Sequence, residues 1–233
     1  MDFSDLTPAG WSFLVLVSVL LPFAAVRGAG RVRVPGGAPP RSKYLVSVIL
    51  TQGIGLVTAL LAARYEWIGL FPAPTLGARN VWIAAAFLVP AVGTLPMRWS
   101  WRTGEEKRRM MWLLPNRTSD LAWWTLVSVL AGVVEEIVFR GVLFTLWFRL
   151  LDEWWPAVIV CSVVFALSHF VQGWRAVLVI LLMAVGNHWI VRATGDLYTA
   201  MAVHFAYDLT AGIVLLNLAR RDGVVPEGMQ AAP

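Results

Sequence analysis

The sequence has one cysteine, three histidines and few charged residues, and each of these shortages narrows the class of protein. A single cysteine, Cys161, excludes an intramolecular disulfide framework. Charged residues make up 14% of the chain and hydrophobic residues 58%, which is not the composition of a soluble globular domain. The first ten residues contain no Lys or Arg, so they lack the positive region of a secretory signal. We therefore expect a membrane protein whose first apolar stretch is retained as a helix.

The net charge of +5 comes from basic residues that are concentrated in short loops between the apolar stretches. This distribution is typical of membrane topology signals, and it argues against a groove for nucleic acid. The loops near residues 27–43 and 98–117 contain most of the basic residues. We predict that both loops are cytoplasmic and that the N-terminus is outside.

Seven apolar stretches are close to the ~20 residues that a helix needs to cross a bilayer. They predict helices at about 11–26, 44–63, 80–97, 121–151, 154–171, 174–191 and 197–219. The segment 98–119 mixes Arg, Lys and Glu with Trp and Met, which favours a short helix in the membrane interface. The predicted fold class is all-α, a polytopic membrane helix bundle. It consists of one domain over 1–219 and a flexible tail over 220–233.

Two adjacent glutamates lie in the middle of the fourth apolar stretch. Ionised carboxylates at bilayer depth are costly, so such groups are rare and usually functional. Glu136 and Arg140 have i,i+4 spacing and share a helix face, which predicts an ion pair. Glu135 lies about 100° away around the helix and is left free for chemistry. The alternative interpretation is a buried ion pair that only fixes helix packing.

Two later helices carry further ionisable groups. Phe165 and His169 share a face of the fifth helix, and His204 and Asp208 share a face of the seventh. If these groups cluster with the glutamates around a water-filled cavity, they can satisfy one another. A rise of ~1.5 Å per residue, however, places Glu135 and the two histidines at depths that differ by more than a helical turn.

Direct attack by water is the favoured chemistry, because no serine or cysteine in these helices stands out as a nucleophile with a base nearby. Glu135 as general base needs a water molecule and a neighbour that orients it, and a histidine suits that task. A second histidine can donate a hydrogen bond to the developing oxyanion. His188, beside Asn187 in the sixth helix, is interpreted as a packing residue.

The three helices carry motifs that resemble, in order and residue type, those of the CaaX prenyl-protease and bacteriocin-processing (CPBP) family: Glu135-Glu136-x-x-x-Arg140, Phe165-x-x-x-His169 and His204-x-x-x-Asp208. Members of this family are intramembrane glutamic proteases. The resemblance covers a motif-bearing core of roughly residues 120–218. It implies a supporting role for Glu136, Arg140 and Phe165.

The resemblance also implies the catalytic roles. Glu135 and His169 would activate the attacking water, and His204 and Asp208 would form the oxyanion site. Many members carry Asn where this chain has Asp208. A carboxylate donates a hydrogen bond only when protonated, so we expect Asp208 to accept from His204 and to leave donation to the imidazole.

These patterns predict an intramembrane endopeptidase that needs neither a metal nor another cofactor. Its substrate would be a membrane-associated protein or peptide, for example a C-terminal tail or anchor. A metal-dependent membrane hydrolase is a second interpretation, although the chain has no His-Glu-x-x-His run. A third is a non-catalytic immunity or scaffold protein, or a proton-coupled carrier. The loop composition looks bacterial, which favours a multi-pass protein of a bacterial inner membrane.

Overall fold

The computed structural model describes residues 6–33, 41–74, 77–115 and 118–224, and all regular elements within these ranges are helical. The helices are α1 (8–33), α2 (Arg41–Tyr65), α3 (Ala78–Ser100), α4 (Gly104–Leu113), α5 (121–151), α6 (Trp154–Ser168), α7 (Trp174–Thr194) and α8 (Tyr198–Arg221). The predicted all-α membrane bundle is confirmed.

Five of the seven predicted membrane helices are long and apolar enough to cross a bilayer: α1, α2, α3, α7 and α8. Helix α6 is apolar but has only 15 residues. It ends at Ser168, three residues before the predicted end, because a 3-10 turn over Phe170–Gln172 follows. Helix α5, in contrast, carries charged residues at its centre.

Helix α8 extends two residues beyond its predicted end, to Arg221. Asp222, the next residue, is hydrogen-bonded to Lys107 of α4 and to Trp99 of α3. The predicted flexible tail over 220–233 stays a prediction, and its part from residue 225 onward lies outside the described residues. The extent of the single membrane domain, 1–219, stays a prediction.

Helix α5 changes its winding where it carries the two glutamates. Leu121–Leu130 and Phe144–Leu151 are α-helical, whereas Ala131–Leu143 between them form a π-helix. Such segments are rare and often occur at functional sites. Eleven of these 13 residues are buried, and the segment contacts α2, α6, α7 and α8. The helix with the most unusual sequence is thus the central helix of the bundle.

A close approach of two backbones sets the distance between α5 and α8. A Cβ atom at Gly132 would lie 2.9 Å from the amide nitrogen of Phe205 and 3.0 Å from the carbonyl oxygen of Met201. Small residues allow membrane helices to approach this closely. The contact brings His204 against the Glu-bearing segment.

Helix α4 covers one end of the bundle. Thr103 and Glu106 form a capping box at its start, and Met111 on its inner side is buried. It contacts α8 and the 3-10 turn after α6, and the ring of Trp112 packs against Tyr44 of α2 in a tilted arrangement at a centroid distance of 4.8 Å. The short helix expected within 98–119 is therefore present. This end of the bundle is formed by the end of α1, the start of α2, the end of α3, and α4. We call it the basic-loop end.

Candidate active site

Glu136 is the most buried charged group of the site, with no solvent exposure. Its Oε1 atom lies 3.2 Å from Nη1 of Arg140, so the predicted ion pair is present. The same oxygen accepts a hydrogen bond from Nδ2 of Asn187 at 2.9 Å and lies 2.8 Å from Nδ1 of His204. One carboxylate therefore joins α5, α7 and α8, and the bonds to it offset the cost of burying it.

Glu135 has a different environment from its neighbour. Its Oε1 atom accepts a hydrogen bond from Nε2 of Gln52 in α2, at 2.6 Å. Its Oε2 atom lies 3.8 Å from Nε2 of His169 and 3.8 Å from Nε2 of His204. This oxygen is buried and has no hydrogen-bond partner within the described ranges. One carboxylate oxygen is thus held in place while the other faces two imidazoles.

His169 follows the last residue of α6, where backbone carbonyls are left without partners inside the helix. Its Nδ1 atom lies 2.8 Å from the carbonyl oxygen of Phe165, one turn earlier. A hydrogen bond there requires a proton on Nδ1, so in the neutral ring Nε2 is an acceptor that points toward Glu135.

Phe165 packs in the middle of the cluster. Its ring centroid lies 4.4 Å from Cζ of Arg140 and 4.6 Å from the ring of His169. The ring of His204 lies 6.1 Å away, in an edge-on orientation. A cation over an aromatic face is stabilised, the more so when it is desolvated. Phe165 therefore packs against the guanidinium and against the rings of both histidines.

His204 lies between carboxylates on both sides of its ring. Nδ1 faces Glu136, and Nε2 lies 3.6 Å from Oδ2 of Asp208, one turn further along α8. The backbone carbonyl of Asp208 accepts a hydrogen bond from Nε1 of Trp124 at 2.9 Å. Because Nδ1 bonds to an anion, it carries a proton, and Nε2 donates only when the ring is an imidazolium.

The structure brings together the residues that counting along the helices had placed at different depths. The count depended on the assumed helix boundaries and tilts, and those boundaries differ in the structure: α6 ends at Ser168, three residues before its predicted end, and part of α5 is wound as a π-helix. His188 does not line the cavity: its ring is buried and packs against Phe144 at a centroid distance of 5.2 Å.

Two amide side chains of the site were missed from the sequence, Gln52 and Asn187. Both are polar residues within long apolar helices, and such residues pair with other polar groups in the bundle interior. That rule, applied to α2 and α7, would have found both. It would not have shown that Gln52 donates a hydrogen bond to Glu135 and Asn187 to Glu136.

A cavity of about 780 Å³ opens beside these residues and reaches the basic-loop end of the bundle. Glu135, His169, His204 and Asp208 all line it. The rest of the lining is largely apolar. Four polar side chains line the part of the cavity near the basic-loop end: Tyr44, Arg98, Arg102 and Tyr207. Among the described residues, no group of three or more His, Cys, Asp and Glu side chains is arranged to hold a metal ion.

Comparison with known proteins supports the resemblance seen in the sequence. Residues 117–210 match the family model of the Rce1-like type II CAAX prenyl endopeptidases, a range that includes all three motifs. No curated protein and no solved structure matches the chain. This match supports the assignment of the motif-bearing part of the chain to the CPBP family of CAAX-type intramembrane endopeptidases.

Proposed function

We propose that this protein cleaves a peptide bond of a membrane-associated protein by direct attack of a water molecule that Glu135 and His169 activate. The observation that carries the proposal is the convergence of three atoms at the cavity wall. Oε2 of Glu135 lies 3.8 Å from Nε2 of His169 and 3.8 Å from Nε2 of His204. A water molecule in contact with this oxygen would have Glu135 as its base, Nε2 of His169 as a hydrogen-bond acceptor and Nε2–H of His204 as a nearby donor.

In the first step, the water oxygen bonds to the carbonyl carbon and a water proton passes to Oε2 of Glu135. The other hydrogen of the water bonds to Nε2 of His169, which is an acceptor because Nδ1 donates to the carbonyl of Phe165. Gln52 holds the second oxygen of Glu135, so the base keeps its orientation while its charge changes.

The carbonyl oxygen becomes an oxyanion in this step. His204 stabilises it through Nε2–H of the imidazolium, with Glu136 at Nδ1 as counter-charge. Asp208, 3.6 Å from the same nitrogen, favours the protonated ring. The intermediate then collapses, the carbon–nitrogen bond breaks, and the leaving amine takes the proton held by Glu135. The products are a peptide carboxylic acid and a peptide amine, and transfer of the acid's proton to the amine gives a carboxylate and an ammonium group.

The test compares cells that carry the wild-type protein with cells that carry Glu135→Ala, using membrane proteomics to find uncleaved precursors. We expect precursors to accumulate in the variant to the same degree as in a deletion strain, because general-base catalysis contributes ~10²–10⁴-fold. Glu66→Ala is the matched control, since Glu66 is also a buried carboxylate but does not line the cavity. A Glu135→Ala strain with normal processing and phenotype would favour a scaffold, immunity or carrier protein instead.

The membrane helices and the family match also bear on where the protein resides and what it acts on. The protein is a multi-pass membrane protein by its helices, and its family acts on a protein substrate at the membrane. We propose that it resides in a bacterial inner membrane. The cavity reaches the end of the bundle that carries the basic residues, so its entrance is proposed to face the cytoplasm.

A further inference from the structure

Two arginines at the basic-loop end of the cavity have no carboxylate partner. Nη2 of Arg98 donates to the carbonyl oxygen of Ala91 at 2.7 Å and to the hydroxyl of Tyr207 at 3.1 Å. Nη1 of Arg102 donates to the backbone carbonyl of Arg98 at 3.1 Å. In the part of the chain that the structure describes, neither guanidinium has a carboxylate oxygen within 4.0 Å. Both line the cavity.

The nearby acidic residue is already used elsewhere. Glu106 forms an ion pair with Arg175 at 3.1 Å and closes the capping box of α4. Burial and the adjacent Arg98 guanidinium lower the pKa of Arg102, which lies outside the membrane-spanning segments. In addition, Nε of Arg98 is buried without a hydrogen-bond partner. Two half-buried cations without an anion are unfavourable, so this arrangement suits a ligand that brings a negative charge.

This pair of arginines is close to the proposed chemistry. Tyr207, which bonds to Arg98, lies three residues after His204, about 4.5 Å along the axis of α8. The tyrosine, the histidine and both arginines line one continuous cavity. An anion held by the arginines would therefore lie only a few residues away from the peptide bond that the Glu135 site attacks.

We propose that Arg98 and Arg102 form a subsite that binds the free C-terminal carboxylate of the substrate and so sets the distance between the chain end and the cleaved bond. The inference rests on the proposed function, whose chemistry it makes more specific. A guanidinium matches a carboxylate in geometry and can bond to it through two parallel hydrogen bonds. A peptide terminus is favoured over a lipid phosphate because the two arginines line the same largely apolar cavity as the catalytic cluster.

The experiment uses the full-length protein in nanodiscs and one probe in two forms. The probe is an S-farnesylated CaaX peptide with an amino-terminal fluorophore, made with a free carboxylate and with a carboxamide. Cleavage gives kcat and KM, and fluorescence anisotropy with Glu135→Gln gives Kd without turnover. The variants are Arg98→Gln, Arg102→Gln and Arg98→Lys. Arg109→Gln is the matched control, since Arg109 pairs with Glu105 and does not line the cavity.

We expect the Glu135→Gln protein to bind the carboxylate form about 10-fold or more tightly than the amide, because hydrogen bonds to charged groups are strong. Arg98→Gln or Arg102→Gln, combined with Glu135→Gln, should bring the two Kd values together. Arg98→Lys should retain part of the difference, and Arg109→Gln all of it. In cleavage, the loss should appear in KM rather than in kcat.

Equal Kd values for the two peptide forms would overturn the subsite, whatever the cleavage assay shows. An affinity that follows the phosphatidylglycerol content of the nanodiscs, and not the peptide terminus, would overturn it in favour of a lipid-headgroup site. A carboxylate preference that depends on Arg98, found without any cleavage, would support the subsite while the proposed proteolysis fails. Failure of either proposal can thus be recognised separately.

Discussion

Nδ1 of His204 lies 2.8 Å from Oε1 of Glu136, so the second glutamate of the pair orients the histidine that faces the first one. The two adjacent carboxylates thereby take different tasks. Glu136 is surrounded by Arg140, Asn187 and His204 and is saturated at one oxygen. Glu135 keeps one oxygen toward the cavity residues, which is the arrangement that a general base needs.

Replacing Glu136 with Gln should lower kcat by about 100-fold or more, because His204 loses the counter-charge that stabilises its imidazolium. KM should change little, since Glu136 has no exposure to the cavity. The measurement is the cleavage rate of the purified variant in nanodiscs. Glu66→Gln is the control: Glu66 is a buried carboxylate with bonds from Thr7 and Arg149, and its loss should lower stability but not kcat. Equal effects of both substitutions would contradict the prediction.

Replacing Gln52 with Leu should lower kcat by about 10-fold and leave KM nearly unchanged. The substitution removes the donor that fixes Oε1 of Glu135, so the base samples orientations that are not productive. Gln172→Leu is a control within the same cavity, since no hydrogen bond joins that side chain to Glu135 in the described structure. A variant of Gln52 with full activity would show that α2 does not position the base.

Replacing Asp208 with Asn should reduce activity rather than improve it. The carboxylate lies 3.6 Å from Nε2 of His204 and favours the charged form of the ring, whereas an amide brings no charge. The steady-state rate of Asp208→Asn, measured over a pH series, checks this expectation. The decline should be larger at high pH, where the imidazolium is harder to maintain. Unchanged or faster turnover would mean that the amide serves as an oxyanion donor.

The contact between α4 and the end of α8 should depend on pH through Asp222. Hydrogen bonds from Lys107 and from Nε1 of Trp99 lower the pKa of Asp222 below its ordinary value of 3.8. The contact therefore stabilises the fold fully above pH 3.8 and loses this contribution as the pH falls through the lower folded-state value. Protease accessibility of α4 should differ between wild type and Asp222→Asn at pH 5–8, and the difference should vanish in strong acid. If wild type and Asp222→Asn still differed in protease accessibility in strong acid, the contact would depend on packing and not on the charge of Asp222.

Treatment with a zinc chelator should leave cleavage unchanged. The proposed mechanism uses Glu135 as base and needs no metal-bound hydroxide. The assay compares protein dialysed against a chelator with untreated protein, followed by addition of zinc. Loss of activity that zinc restores would support the second interpretation, a metal-dependent hydrolase.

The seven predicted helices appear in the structure because apolar stretches separated by charged loops are a strong signal for membrane helices. Most boundaries agree within a few residues. The ion pair of Glu136 and Arg140 was also predictable, since i,i+4 neighbours meet on any helix face. The partners of Glu135 were not, because Gln52 and the two histidines come from three other helices and meet it through packing.

The residue types, their order and their placement on membrane helices were determined by the sequence alone, since the ~20-residue apolar run and the four-residue spacing are local properties of the chain. Only the tertiary structure decided that α5 is wound as a π-helix through Ala131–Leu143 and that Gly132 lets α8 approach it. It also decided which end of the bundle the cavity reaches. These features depend on how helices distant in sequence pack together, and spacing within one helix carries no information about that.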